Sequence, residues 1–173
     1  MRERTDLVAV GSREDFEDFY LREYSSLVGL AYALSGSRWS AEDIAQEAFL
    51  AAHRNWHRVA GYDQPEAWVR RVVANIAASA FRRRVLEAKA LGRIALRGVP
   101  AVPELSAEDA EFWRAVRSLP RRQAQVVALY YLEDRAIADV AEILDMAPGT
   151  VKKHLHDGRR TLRGRLRVHE DEP

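Results

Sequence analysis

Between Pro148 and Val168 stand seven basic side chains and one acidic one, Asp157. On a helix, Thr150, Lys152, Lys153 and His156 come early and are long or polar enough to reach base edges or phosphates. Arg159 and Arg160, about a turn later, are placed to hold a sugar-phosphate backbone. A second polar and basic stripe runs along the helical segment 66–85. There Arg71, Asn75, Ala78 and Arg82 share one side, and Val69, Val72, Val73, Ile76 and Ala80 share the other. Both patterns suit contact with nucleic acid. Asp157 would repel phosphate beside a groove, so it is expected either to accept from cytosine N4 or to turn away.

Other chemistry finds little support. The chain has no cysteine, which removes disulfides, thiolate catalysis and cysteine-ligated zinc together and fits a reducing cytosol. His53 and His57 stand four apart and share a helix face that could turn to a metal, but no third ligand or general base sits at motif spacing. His154 and His156 are two apart and diverge on a helix. No catalytic residue, metal or cofactor is therefore expected, and a hydrolytic metalloenzyme is set aside.

The elements that position these residues are all helical. The net charge of +1 conceals strong zoning: residues 1–53 hold 5 basic and 10 acidic side chains, 54–98 hold 10 and 3, 99–147 hold 5 and 9, and 148–173 hold 7 and 4. Acidic then basic, twice over, suggests two nucleic-acid faces, each behind an acidic partner face. No stretch approaches the roughly 20 apolar residues of a membrane span. The start, Met1 to Gly11, carries Glu3 and Asp6 before a brief Leu7 to Val10 run, too short and too acidic for a secretory signal, so a cytoplasmic protein without membrane insertion is expected.

Hydroxyl-led starts at Ser12, Ser40 and Ser106, each followed by acidic residues, predict three helix N-termini. The first helix carries Phe16, Phe19, Tyr20, Leu27, Leu30, Ala31 and Leu34 and ends at Gly36; the second carries Ile44, Ala48, Phe49, Leu50 and Ala51 to about Trp56. Asp63 or Gln64 opens a third helix with Pro65 in its first turn, from about Glu66 to about Val85. Gly92, Gly98, Pro100 and Pro103 mark a linker. The expected organisation is all-α: a three- or four-helix bundle over 12–90, a flexible linker over 91–105, and a second helical domain over 106–168. In that second domain, Ile137 to Leu144, a short turn, and the basic helix from Gly149 read as a helix-turn-helix. Ala141 is small where the two helices cross, and Val140, Ile143, Leu144, Val151 and Leu155 supply the core.

Two groups of residues also resemble a known family. Leu119 to Gln123, Val140 to Leu144 and Pro148 to Lys152, on through Arg159, resemble region 4 of the extracytoplasmic-function (ECF) sigma factors of the sigma-70 family. Ala41 to Phe49 is similar to their region 2 core-binding helix, and Trp68 to Asn75 to their promoter-melting segment. The resemblance implies a sigma factor that binds core RNA polymerase and directs initiation at specific promoters. It implies that Asp43, Gln46 and Glu47 dock on the clamp coiled coil of the largest subunit. The Gly61 to Pro65 loop would capture a flipped base of the minus-10 element, with Asp63 or Gln64 on the base edge and Tyr62 either stacking on the base or anchoring the loop. Arg70, Arg71, Asn75 and Arg82 would track the opened strand, and Trp56 and Trp68 are read as core. The second domain would hold the minus-35 duplex through Thr150, Lys152, Lys153, His156, Arg159 and Arg160, and the polymerase flap as well. The resemblance further implies an anti-sigma partner. A stand-alone helix-turn-helix regulator is the alternative; it accounts for the second half and leaves the first unexplained.

Overall fold

The computed structural model describes the backbone of residues 3–90 and 107–170, and the side chains of residues 16–90 and 109–166. Among these residues there are eight helices and no strand. They are α1 (Glu3–Ser35), α2 (Arg38–Arg54), α3 (Trp56–Val59), α4 (Pro65–Ala90), α5 (Ala107–Arg117), α6 (Arg121–Tyr131), α7 (Ile137–Leu144) and α8 (Pro148–Glu170). The expected linker over 91–105 and the expected helix start at Ser106 lie outside the described residues.

α1, α2 and α4 pack as a three-helix bundle with α3 closing one end. Leu27, Leu30 and Leu34 of α1 face Ile44 and Phe49 of α2 and Val69 and Val73 of α4, all buried. Small residues (Ala41, Ala45, Ala48, Ala52, Ala74, Ala77) let the helices approach closely. At the α3 end the rings of Phe16, Phe19, Tyr20, Phe49 and Trp56 meet with centroids 4.7–6.5 Å apart, mostly edge to face. Trp56 is buried and Trp68 packs against the core, as their sequence reading required.

Two helix starts differ from expectation. α1 begins at Glu3, so Ser12 falls inside it; residues 3–10 contain no proline, and a serine caps only where the chain would otherwise stop. The cap of α2 is Ser37, whose Oγ accepts from the backbone N–H of Ser40 at 3.3 Å. Ser40 lies in the first turn and donates its own hydroxyl to Ser37 at 3.1 Å. α1 ends where Gly36 takes φ +72°, a left-handed conformation costly for residues with a Cβ. A Cβ at Gly36 would also stand 2.8 Å from Nε of Arg117, whose side chain would have to shift.

In the second half, α7 and α8 pack on α5 and α6 through Trp113, Val116, Leu119, Val126, Val127, Leu129, Val140, Ile143, Leu144, Val151, Leu155 and Leu162. The turn between α7 and α8 is built by Asp145, left-handed at φ 54°, whose N–H reaches Glu142 while that of Met146 reaches Ala141. Pro148 then fills the first position of α8, where its missing N–H costs nothing. Gly158 marks where α8 crosses α6: a Cβ there would meet Cγ2 of Val127 at 3.0 Å. Gly158→Leu is therefore expected to lower stability by about 1–3 kcal/mol through overpacking, despite leucine's better helix propensity, as a drop in melting temperature.

The halves are in contact. Buried side chains form one continuous cluster from Phe19 of α1 to Leu162 of α8, and α1 touches α5 and α6 while α4 touches α6 and α7. Arg117 of α5 donates to the carbonyl of Ala33 at 3.1 Å, and Arg84 of α4 donates to that of Ser35. Two guanidiniums thus meet the negative end of α1. Burial pushes Arg117 down to about 10, which leaves it cationic at neutral pH.

Candidate nucleic-acid interface

α8 carries an exposed basic surface. Thr150, Lys152, Lys153, His156 and Arg160 are exposed, while Val151, Leu155 and Leu162 on the opposite side are buried against α6 and α7. The alternation follows from helical spacing, which puts every third or fourth residue on the core side. Asp157 is half-buried and points an oxygen at Nη2 of Arg160, 3.5 Å away, one helical turn on. In this arrangement its charge is directed at a neighbouring cation.

Arg159 differs from its neighbours on α8. Its Nε donates to Tyr131 Oη at 2.6 Å, and its guanidinium carbon lies 5.2 Å and 5.4 Å from the ring centroids of Tyr130 and Tyr131. The hydrogen bond to Tyr131, against a smaller cost of burial, raises the guanidinium above the usual arginine range. A pair of adjacent tyrosines ending α6 therefore aims a cation on α8. The Tyr130 and Tyr131 pair was visible in the sequence as part of an apolar run; its geometry toward Arg159 depends on how α6 crosses α8.

In the first half, Asp43, Gln46 and Glu47 are all exposed on α2, on one face by their spacing of three and four. Beside them Phe16, Tyr20, Gln46, Phe49, Leu50 and His53 line an apolar groove between α1 and α2, and Leu50 is 55% exposed at its edge. His53 meets Phe16 edge-on at 4.8 Å. Among the described residues no group of three or more metal-ligating side chains occurs. In the loop before α4, Tyr62 is exposed and its hydroxyl accepts from Nε of Arg58 at 3.1 Å, so the ring is held at its polar end. Asp63 is exposed, and Gln64 is half-buried and gives its carbonyl to the N–H of Ala67 as α4 begins.

The α4 stripe is divided. Arg82 is exposed, Ala78 is buried, and Arg70, Arg71 and Asn75 are all engaged by other helices. The Arg70 side chain is 3% exposed and forms ion pairs with Glu23 of α1 at 2.8 Å and Glu133, just beyond α6, at 2.9 Å. The hydroxyl of Ser26 donates to both oxygens of Glu133, at 2.7 and 2.8 Å. Arg71 donates to the carbonyls of Ile143 at 2.6 Å and Glu142 at 2.7 Å, at the end of α7. Asn75 Oδ1 accepts from Arg121 at 2.7 Å and from Gln125 at 3.1 Å, and the same Gln125 amide donates to the carbonyl of Ala74 at 3.0 Å. Burial pushes Glu23 toward the neutral acid, but the hydrogen bond from Arg22 and the charge and hydrogen bond of Arg70 outweigh it and hold the carboxyl below the usual range. Arg70 was assigned to the stripe from its likeness to a family motif; the sequence held no signal that two acids, 47 positions before it and 63 after, would close on it.

Comparison with known proteins agrees with the two-region organisation. Residues 19–86 match the family described as Sigma-70 region 2, and residues 109–162 that described as Sigma-70, region 4. The ECF RNA polymerase sigma factor SigW of Bacillus subtilis is 28% identical over 183 aligned residues, covering 96% of this chain and 97% of its own. The ECF RNA polymerase sigma factor SigM of Mycobacterium tuberculosis strain Erdman is 30% identical over 167, covering 93% of this chain and 83% of its own. Among solved structures, the sigma factor RpoE of Bartonella quintana, determined in complex with the anti-sigma factor NepR, shares the fold with a TM-score of 0.68 and 24% identity over 92% of this chain and 99% of that one. With both sigma-70 regions in order and a relative of this identity aligned along most of its length, the chain belongs to the ECF RNA polymerase sigma factors.

Proposed function

We propose that the chain binds core RNA polymerase, directs it to specific promoters and opens the DNA there, with no catalysis of its own. The observation that carries this is the combination, within one sigma-70 family chain, of an exposed acidic face on α2 and an exposed cationic face on α8. Asp43, Gln46 and Glu47, beside the apolar groove with Leu50, suit a basic, partly apolar coiled coil such as the clamp of the largest subunit. Thr150, Lys152, Lys153, His156 and Arg160 suit the major groove and phosphates of the minus-35 duplex, with Arg159 aimed by its tyrosines, and the flap binds the same half. The loop with Tyr62, Asp63 and Gln64 takes a flipped minus-10 base; extruding it costs a few kcal/mol, which stacking on Tyr62 offsets. Arg71, Asn75 and Arg82, with Arg70 behind them, follow the opened strand. No helix among the described residues is long and apolar enough to cross a membrane, and we place the protein in the cytoplasm, restrained by an anti-sigma protein.

Run-off transcription from fragmented genomic DNA, with bacterial core polymerase and with or without this chain, tests the reading. Discrete new start sites sharing two spaced upstream elements are expected. Intact duplex binding with no new start would overturn it; the match of residues 19–86 to Sigma-70 region 2 accounts for the first half, which a stand-alone helix-turn-helix regulator leaves unexplained.

A further inference from the structure

We infer that Asp157 is a specificity-determining residue of the α8 face: on duplex DNA its carboxylate leaves Arg160 and accepts from the N4 amino group of a cytosine in the major groove, while the released arginine goes to a phosphate. The inference deepens the reading of α8 proposed above and rests on it only for the presence of duplex DNA at this face.

Helix geometry sets the position. Val151, Leu155, Gly158 and Leu162 face the core, so the ridge farthest from it carries Lys153 and Arg160. Asp157, four residues after the one and three before the other, stands beside both. α8 is seated closely on α6 at Gly158, where a Cβ would stand 3.0 Å from Cγ2 of Val127, and this fixes its roll. The only acid between Pro148 and Val168 is thereby held among cations suited to phosphates. Its charge opposes binding to any sequence, because the attraction of a basic face for the DNA backbone does not depend on the bases. A carboxylate has acceptors only, and the major groove offers it donors at cytosine N4 and adenine N6. At adenine the adjacent N7 is itself an acceptor and repels the second carboxylate oxygen, which leaves cytosine. The same side chain therefore weakens binding to most sequences and restores it at one base.

The pair with Arg160 keeps the carboxylate until DNA arrives. Its Oδ1 lies 3.5 Å from Nη2 of Arg160, longer than a charge-assisted hydrogen bond, and the arginine is 75% exposed. A pair of that kind is weak and exchanges readily for other partners. Thr161, one turn on, donates its hydroxyl to the backbone carbonyl of Asp157 at 3.0 Å and so does not compete for the carboxylate. An acid that served only to hold Arg160 in place would give the same effect whichever partner was removed. An acid that reads a base separates the two.

The wild type, Asp157→Ala, Asp157→Asn and Arg160→Ala, each as the full-length chain without polymerase, are used to select from a random-sequence duplex library of about 20 base pairs, and the selected DNA is sequenced. Fluorescence anisotropy near 0.1 M salt gives the affinity of each for the unselected pool. The wild type is expected to favour cytosine about tenfold over the other bases at one position of its selected sequence. Asp157→Ala is expected to reduce that preference to about twofold or less, at that position alone, and to bind the unselected pool about three- to tenfold more tightly. Asp157→Asn presents a donor beside its acceptor and is expected to move the preference to adenine at the same position. Arg160→Ala is expected to keep the cytosine and to bind the pool about three- to tenfold more weakly. The inference is overturned if the wild type selects no cytosine, if the Asp157 variants, melting as the wild type does, select the wild-type sequence, or if Arg160→Ala loses the same base as Asp157→Ala. The selection needs no polymerase. A chain that selects the cytosine but starts no transcript fails as a sigma factor and leaves this role of Asp157 standing.

Discussion

Arg70→Met is expected to destabilise the fold by about 3–5 kcal/mol, because it leaves two carboxylates, Glu23 and Glu133, facing each other in a buried site without their shared cation. For a chain of this length that is a fall in melting temperature of roughly 6–20 °C. The size follows from the geometry: the guanidinium is 3% exposed and holds both acids at 2.8–2.9 Å, so it cannot be replaced by water as a surface pair could. Methionine matches the length of the stem and fills the volume, so the loss reports the charge and not a cavity. Adding Glu133→Gln to Arg70→Met removes one of the two stranded anions and is expected to restore part of the stability, whereas two independent effects would add.

The pH dependence gives that prediction a sign. In the wild type Glu23 is held below the usual carboxylate range, so its contribution is fully present above the unfolded value of about 4.3 and is lost as pH falls through the lower folded value. In Arg70→Met the charge and hydrogen bond of Arg70 are gone, burial pushes Glu23 upward, and Arg22 alone opposes it. Protonation then relieves the variant as pH falls toward the unfolded value, and the wild type begins to lose its contribution only below that value. The gap in melting temperature between the two proteins is expected to narrow from pH 7 to pH 4.

Local signals in the sequence were enough for most helices and for their faces, though not for the starts of α1 and α2 or for the short α3. Val151, Leu155 and Leu162 are buried and Lys152, Lys153 and Arg160 exposed because a 3.6-residue period sorts them whatever the partner. Gly36 and Pro148 mark real helix ends, since each answers a local backbone demand. Serine caps were less legible: Ser37 and Ser40 have the same chemistry three positions apart, and the hydroxyl that caps is set by where the turn after Gly36 releases the chain. What the sequence did not carry was the contact between the halves. The pairs formed by Arg70 with Glu133, Arg71 with Ile143 and Asn75 with Arg121 join residues 46–72 positions apart, with no periodicity to announce them. A polar stripe looks the same whether it faces solvent, DNA or another helix end. The stripe's residue types identified a polar, basic surface, and in this chain the second half supplies a carboxylate and carbonyls to its arginines and donors to Asn75.

The α8 surface should behave differently, because its cations are exposed. For Lys152→Ala, Lys153→Ala and Arg160→Ala together, the affinity for a duplex bearing the minus-35 element is expected to fall by a factor on the order of 100 to 1,000 near 0.1 M salt, with the slope of log K against log salt shallower by about 2–3. Fluorescence anisotropy over a salt series reads both quantities. Folding stability should barely move, since none of the three is buried and the one ion pair among them, Arg160 with Asp157, has its arginine 75% exposed. Arg159 makes the sharper test. Tyr131→Phe keeps every charge and both aromatic faces but removes the hydroxyl that takes the Nε hydrogen bond at 2.6 Å. If the tyrosines aim Arg159 at a phosphate, the variant loses roughly threefold to tenfold in duplex affinity with an unchanged salt slope, because the cation still reaches the backbone but is no longer preorganised. A purely structural tie between α6 and α8 would give the opposite pattern, a lower melting temperature with duplex affinity intact. The exposed face of α8 around Arg159 favours the first pattern, and the unchanged slope separates positioning from loss of charge.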